Sequence, residues 1–266
     1  MAGLTIPTSW TSTARSLLAR IAQHASTRAD APAIVFLSDQ APAVELSWAQ
    51  LAHRIQTLGR GLAREGVAPG DVLFVLSASP YEQALGFLAT LAAGALPSIL
   101  SFPSIKQSQT RFHETLEPIT RSTGARWIVA SEEMAGLVTH ADLPVQCLAF
   151  PGVPRGDEGV ADSADRADVG APLPAPAAAF LQFSSGTTGL RKCVRITDAM
   201  LASQVDAYRG ALALRPDDRV VSWLPLYHDM GLVACFLLPL YEGHLSVHLS
   251  PFEWVKEPVS LFRAAS

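Results

Sequence analysis

Cysteine is scarce. Cys147, Cys193 and Cys235 are odd in number and far apart, which excludes a disulfide framework and offers no CxxC metal site. That usage suits a reducing compartment, so a cytoplasmic location is expected. Positive charge is not in excess either. Twenty Lys and Arg face 24 Asp and Glu, the net charge is -4 and the pI is about 6.0. Such a chain has no basic field of the kind nucleic-acid binding requires, and nucleic acid is not an expected partner. The N-terminus lacks a positive segment followed by an apolar one, so a secretory signal is not supported. Arg15, Arg20 and Arg28 among Ser and Thr superficially suit a transit peptide, but residues 14–24 read better as a first helix. No apolar run reaches the length of a membrane span without interruption; the closest, residues 85–100, carries Gly86, Gly94 and Pro97.

What the 266 residues do contain, at 49% hydrophobic, is ample material for one large α/β domain or two small ones. Residues 33–37 suit a strand. Ser47 is a plausible N-cap for a helix whose Trp48, Leu51, Ile55, Leu58 and Leu62 fall at alternating three- and four-residue spacing on one face, ending near Gly66. A strand at 72–76 follows, then a helix from Pro80 to about Gly94, a strand at 95–100, a helix over 108–123 and a strand at 126–130. Repeated β and α units with apolar strands predict a mainly parallel sheet covered by helices on both faces. Residues 101–107 lie after a strand, where they can flank a binding site, and Lys106 among them is expected to be solvated. Residues 151–177 change character: Pro, Gly, Ala and Asp dominate and apolar periodicity disappears, as in an exposed connector. Beyond it, the spacing predicts a returning strand at 194–196, a helix capped by Thr197 or Asp198 with Leu201, Val205, Tyr208 and Leu212 inward, and a strand at 219–224. A helix over 232–241, a strand at 245–249 and a last helix over 255–265 complete the chain.

The stretch FLQFSSGTTGLRKCV, residues 180–194, stands out chemically. A short apolar run opens into Ser184, Ser185, Gly186, Thr187, Thr188 and Gly189 and closes on Lys192. The glycines let backbone approach an anion, the hydroxyls and successive N–H groups form a nest for it, and Lys192 adds a full charge. A Walker A loop requires Gly before its Lys and Ser or Thr after it; Arg191 and Cys193 occupy those places. The plainer alternative is a Gly/Ser/Thr hairpin turn without a ligand. His244 and His248 lie four apart in a strand-like HLSVH with no third ligand apparent, so packing or surface roles are expected and no metal site is assigned.

SSGTTG followed by x-x-Lys after an apolar strand, and then WLPLYHDMGLV at 223–233, resemble the phosphate loop and the aromatic-His motif of the adenylate-forming superfamily. That superfamily comprises acyl-CoA synthetases, fatty acyl-AMP ligases and peptide-synthetase adenylation domains, and the YHDMG form is most like the fatty acyl-AMP ligase branch. The resemblance runs from about residue 12 onward. It implies an α/β fold with two subdomains of an adenylate-forming N-terminal domain: residues 1–150 the first, 151–177 the connector and 178–266 the start of the second. It further implies a ligase of lipid metabolism in which an acyl carboxylate attacks ATP, with Mg2+, to give acyl-AMP and pyrophosphate. CoA or an acyl carrier protein would be the acceptor.

On that likeness Ser184, Ser185, Gly186, Thr187, Thr188, Gly189 and Lys192 bind the nucleotide, and Lys192 and His228 are the catalytic candidates. Asp229 either orients His228 or caps the following helix. The chain departs from the family pattern at Arg191 and Cys193, and the family's later signatures do not appear in it: the Tyr-Gly-x-Thr-Glu turn, the ribose-binding Asp and the Lys of the mobile C-terminal domain. The expectation is an N-terminal portion that adenylates poorly without a C-terminal half, or alternatively a non-catalytic nucleotide- or acyl-binding module.

Overall fold

The computed structural model describes residues 16–38, 42–101, 109–139, 143–150, 179–183 and 192–266. The connector 151–177 and the segment 102–107, with Lys106, lie outside them. Helix α1 (Leu17–Thr27) opens on Ser16, whose hydroxyl accepts from the Ala19 N–H, and leads into β1 (Pro32–Leu37) and the antiparallel β2 (Val44–Ser47). Ser47 caps α2 (Trp48–Arg64) as expected, and Gln50 returns a bond to the Ser47 N–H, so two otherwise orphaned donors are satisfied reciprocally. β3 (Val72–Leu76), α3 (Pro80–Ala92), β4 (Leu96–Ile99), α4 (Gln109–Thr123), β5 (Trp127–Ala130), α5 (Glu132–Thr139) and β6 (Gln146–Ala149) follow.

β3, β4, β5 and β6 form a parallel sheet in the order β4-β3-β5-β6. Every residue of β3 is buried because both faces are covered. Leu73 and Val75 face α2 and α3, whereas Val72, Phe74 and Leu76 face Phe112, Leu116 and Ile119 of α4. The second sheet, β2-β1-β10-β9, joins distant parts of the chain: β1 pairs in parallel with β10 (Leu245–Leu249), which pairs in parallel with β9 (Arg219–Ser222). Strands from before and after the connector therefore share one sheet. α2 and α3 belong to one apolar core with residues of both sheets. Gly59 of α2 permits their close approach, since a Cβ there would sit 2.9 Å from Ala92 Cβ.

A hairpin of β7 (Phe180–Phe183) and β8 (Cys193–Ile196) lies beside β4. It is followed by α6 (Asp198–Leu212), capped by the Thr197 hydroxyl. Leu201 and Val205 of α6 are buried, but Leu212 is 57% exposed, contrary to its expected inward position, because it sits in the last turn beyond the packed part of the helix. The expected last helix is two: Glu257 and Pro258 separate α8 (Pro251–Lys256) from α9 (Val259–Ala265), since the proline supplies no N–H to continue the ladder. Between β9 and β10 the chain forms a π-helical segment, Met230–Leu237, that runs into α7 (Leu238–Glu242).

Candidate active site

The hairpin register pairs Phe183 with Cys193, so β7 and β8 bring together the two ends of the SSGTTG loop. Ser184, Ser185, Gly186, Thr187, Thr188, Gly189 and Arg191 themselves lie outside the described residues. Lys192 is exposed at the head of β8. β7 is anchored twice. Phe180 is buried in the core between the sheets, with its ring 5.5 Å from Phe87, and Leu181 is buried in the core beneath α4. Phe183 contacts Phe74 edge-on at 6.0 Å.

The aromatic-His turn follows β9. The His228 N–H donates to the Pro225 carbonyl at 3.1 Å, closing a turn that leaves His228 exposed with its ring 5.0 Å from that of Tyr227. Tyr227 is half-buried, and that burial raises its phenol pKa above the ordinary value. Asp229 caps: its carboxylate accepts from the Met230 N–H at 2.8 Å. Gly231 is required by sterics, because any Cβ there would overlap the Pro225 carbonyl oxygen and lie 3.1 Å from the Leu224 oxygen.

Near the end of the π segment one carbonyl lacks its α-helical donor. Cys235 O would ordinarily accept from the residue four ahead, which is Pro239 and has no N–H. The Ser246 hydroxyl of β10 donates to that carbonyl instead, at 3.0 Å. Ser246 Oγ also lies 2.7 Å from His248 Nε2, within hydrogen-bond distance. His248 is 1% exposed between Phe36 and Phe236, and burial holds its pKa at about 4. His244 is buried as well. Both histidines are thus packing residues, and among the described residues no group of three His, Cys, Asp or Glu is placed to hold a metal ion.

Gln182, in the middle of β7, donates from Nε2 to the Tyr227 carbonyl at 3.2 Å and so ties the loop strand to the histidine turn. Sequence reasoning passed over it; the only signal is an amide interrupting the apolar run FLQF. Beside this bond lies a cavity of about 350 Å3, walled by Phe180, Gln182, Met200, Tyr208, Met230 and Val233. The Asp229 end of the turn borders it.

Fold and site together define an α/β protein in which the β7–β8 hairpin strands, a histidine turn and a cavity adjoin one another. Residues 21–264 match the AMP-binding enzyme family, and the chain belongs to it. The long-chain-fatty-acid AMP ligase FadD26 of Mycobacterium marinum is 30% identical over 256 residues, covering 92% of this chain and 43% of its own length. FadD32 of Mycolicibacterium smegmatis, of the same description, is 28% identical over 250 residues, covering 91% and 38%. The solved fatty acid AMP ligase of Legionella pneumophila superposes with a TM-score of 0.80 at 21% identity over 95% of this chain and 42% of its own, a likeness of fold. The chain spans about two fifths of the length of these relatives. Among the described residues no helix is long and apolar enough to cross a membrane.

Proposed function

We propose that this chain is the nucleotide- and acyl-binding portion of an ATP-dependent ligase that converts a carboxylic acid, of the fatty or other acyl class, into its adenylate. The observation that carries the reading is the cavity beside the Gln182–Tyr227 bond, which is lined by the strand entering the SSGTTG loop, by α6 and by the YHDMG turn with the segment after it. An acyl chain lying there would present its carboxylate toward the histidine turn. A carboxylate oxygen attacks the α-phosphorus of ATP; the new O–P bond forms as the bond to the β-phosphate oxygen breaks, and pyrophosphate leaves with the electron pair. Ser184, Ser185, Gly186, Thr187, Thr188 and Gly189 would grip the β- and γ-phosphates, and Lys192 would offset charge building on the leaving group. His228 would orient the carboxylate. Mg2+, where bound, would add positive charge at the triphosphate; among the described residues no group of three His, Cys, Asp or Glu is placed to hold it. The thiol sulfur of CoA or of a carrier protein would then attack the acyl carbon, forming the thioester as the bond to the phosphate oxygen breaks and AMP leaves, in the cytoplasm.

The test is carboxylate-dependent exchange of labelled pyrophosphate into ATP by the purified chain over an acyl panel, with Lys192→Ala and His228→Ala as controls. Exchange that needs acid and is lost in both variants supports adenylation by this portion unaided. Saturable ATP binding without exchange, weakened in Lys192→Ala, identifies a binding module that acts with a C-terminal half. Absence of ATP binding refutes the reading.

A further inference from the structure

A second cavity, of about 460 Å3, shares no lining residue with the one beside His228. It lies where the parallel sheet β4-β3-β5-β6 reverses its winding. β3 and β5 are neighbours, but α3 leaves the end of β3 toward one apolar core and α5 leaves the end of β5 toward the other. Crevices outside the carboxyl ends of strands at such a switch point are where open α/β sheets take ligands. Ser77 and Ser131, which follow β3 and β5, line the cavity, and Ser38 and Ser250 line it from the ends of β1 and β10.

Charge decides what fits there. Three helices, α3, α5 and α8, begin at the wall, and each N-terminus carries about half a positive charge. Against them stand four carboxylates, Glu82, Glu132, Glu133 and Glu253, and among the described residues no Lys, Arg or His lines the cavity. An anion is therefore disfavoured. Glu82 is only 7% exposed; the Ser77 hydroxyl donates to its Oε2 at 2.6 Å, whereas Oε1 accepts from no donor among the described residues. A buried carboxylate oxygen in that state is costly until a donor meets it. Burial raises the Glu82 pKa, and the neighbouring Glu133 raises it further, as acids do when crowded together without a cation. Ser131 Oγ is buried and likewise has no hydrogen-bond partner among the described residues. Among those residues no group of three His, Cys, Asp or Glu is placed to hold a metal ion, which directs the choice to an organic cation. Phe36, Tyr81, Phe150 and Phe252 supply aromatic surface beside the acids, suited both to a ring and to a positive charge. We propose that this cavity binds a small primary arylalkylammonium ion, with its N–H groups directed to Glu82 Oε1 and Ser131 and its ring against these aromatics. The site is independent of the adenylating reading above.

The experiment compares phenethylammonium, 2-phenylethanol and 3-phenylpropionate, which share a phenylethyl body and differ in charge, for binding to the purified chain by calorimetry at low ionic strength. Phenethylammonium should saturate one site with a Kd below about 1 mM, at least about tenfold tighter than the alcohol, and the carboxylate should not bind. Glu82→Gln keeps the shape of the side chain and an acceptor for Ser77, and should weaken phenethylammonium at least about tenfold. Glu133→Gln, at an exposed position where the fold does not depend on it, should weaken it about two- to threefold through the field alone. Failure to saturate, equal affinity for the alcohol, or unchanged affinity in either variant overturns the proposal. So does loss of binding in Asp229→Asn, because that places the amine in the cavity beside His228 instead.

Discussion

Acidification should loosen the segment behind the histidine turn through one residue. His248 is buried between two phenylalanine rings with its pKa lowered from 6.5 to about 4, so the native chain keeps it neutral where the unfolded chain protonates it. The unfolded state binds more protons between those values, and stability attributable to His248 is present above pH 6.5 and lost as pH falls toward 4. The full shift corresponds to about 3 kcal/mol at about 1.4 kcal/mol per pKa unit; between pH 7 and pH 5 the loss works out at about 2 kcal/mol. His24 is lowered to about 4 as well, again mainly by burial, so the pH slope of the parent chain alone is not diagnostic. The comparison is with His248→Phe, which keeps an aromatic ring between Phe36 and Phe236 but cannot titrate. Urea unfolding followed by tryptophan fluorescence at pH 7, 6 and 5 should show the parent losing about 2 kcal/mol more than the variant. Equal losses, within about 0.5 kcal/mol, would refute the account of His248 as a buried neutral residue.

Gly231→Ala should destabilise the chain by about 1–3 kcal/mol or more in the same assay, because its Cβ meets backbone at Pro225 and Leu224 that has no rotamer to yield. Gln182→Ala should cost about 1 kcal/mol for the lost bond to the Tyr227 carbonyl and weaken binding of a non-hydrolysable acyl-adenylate analogue, whereas Gln182→Asn should not restore it, being one methylene too short. Lys192→Ala should leave unfolding within about 0.5 kcal/mol of the parent, since the side chain is exposed, while weakening ATP binding about tenfold by calorimetry. ATP should slow alkylation of the exposed Cys193 relative to Cys147, read by peptide mass spectrometry; equal rates would argue against a nucleotide at the hairpin.

The elements with strong local patterns were legible in the sequence. α2 announced itself through its spacing and Ser47, and β3, α3 and α4 followed from apolar runs and Pro80. β2, α5 and β6 were not expected. They are short, and half-exposed residues such as those of β6 give no clean alternation. Sheet order was beyond local reading, because β1 pairs with a strand some 200 residues away and nothing near Pro32–Leu37 encodes that choice. At the site, the two motif segments could be found but not their connection: Gln182 and the Ser246–His248 pair acquire meaning only when β7 meets the turn and β10 meets the π segment. Pro258 was a readable stop that the apolar pattern on either side obscured.

The hairpin that carries the loop is unequal in its two arms, and the inequality bears on how such a loop works. β7 is clamped by Phe180 in one core and Leu181 in the other, and by Gln182 to the histidine turn. In β8, by contrast, Cys193, Val194 and Arg195 are all exposed. Local opening is governed by how much apolar contact must be lost, so the β8 arm parts from its neighbours at far lower cost than β7. Lys192 sits at the head of that loosely held arm. A displacement of Lys192 therefore moves the arm that costs little to move, while the arm tied to the His228 turn stays fixed. Under the proposed function, a polyphosphate held by Lys192 would shift β8 without disturbing β7 and the histidine turn.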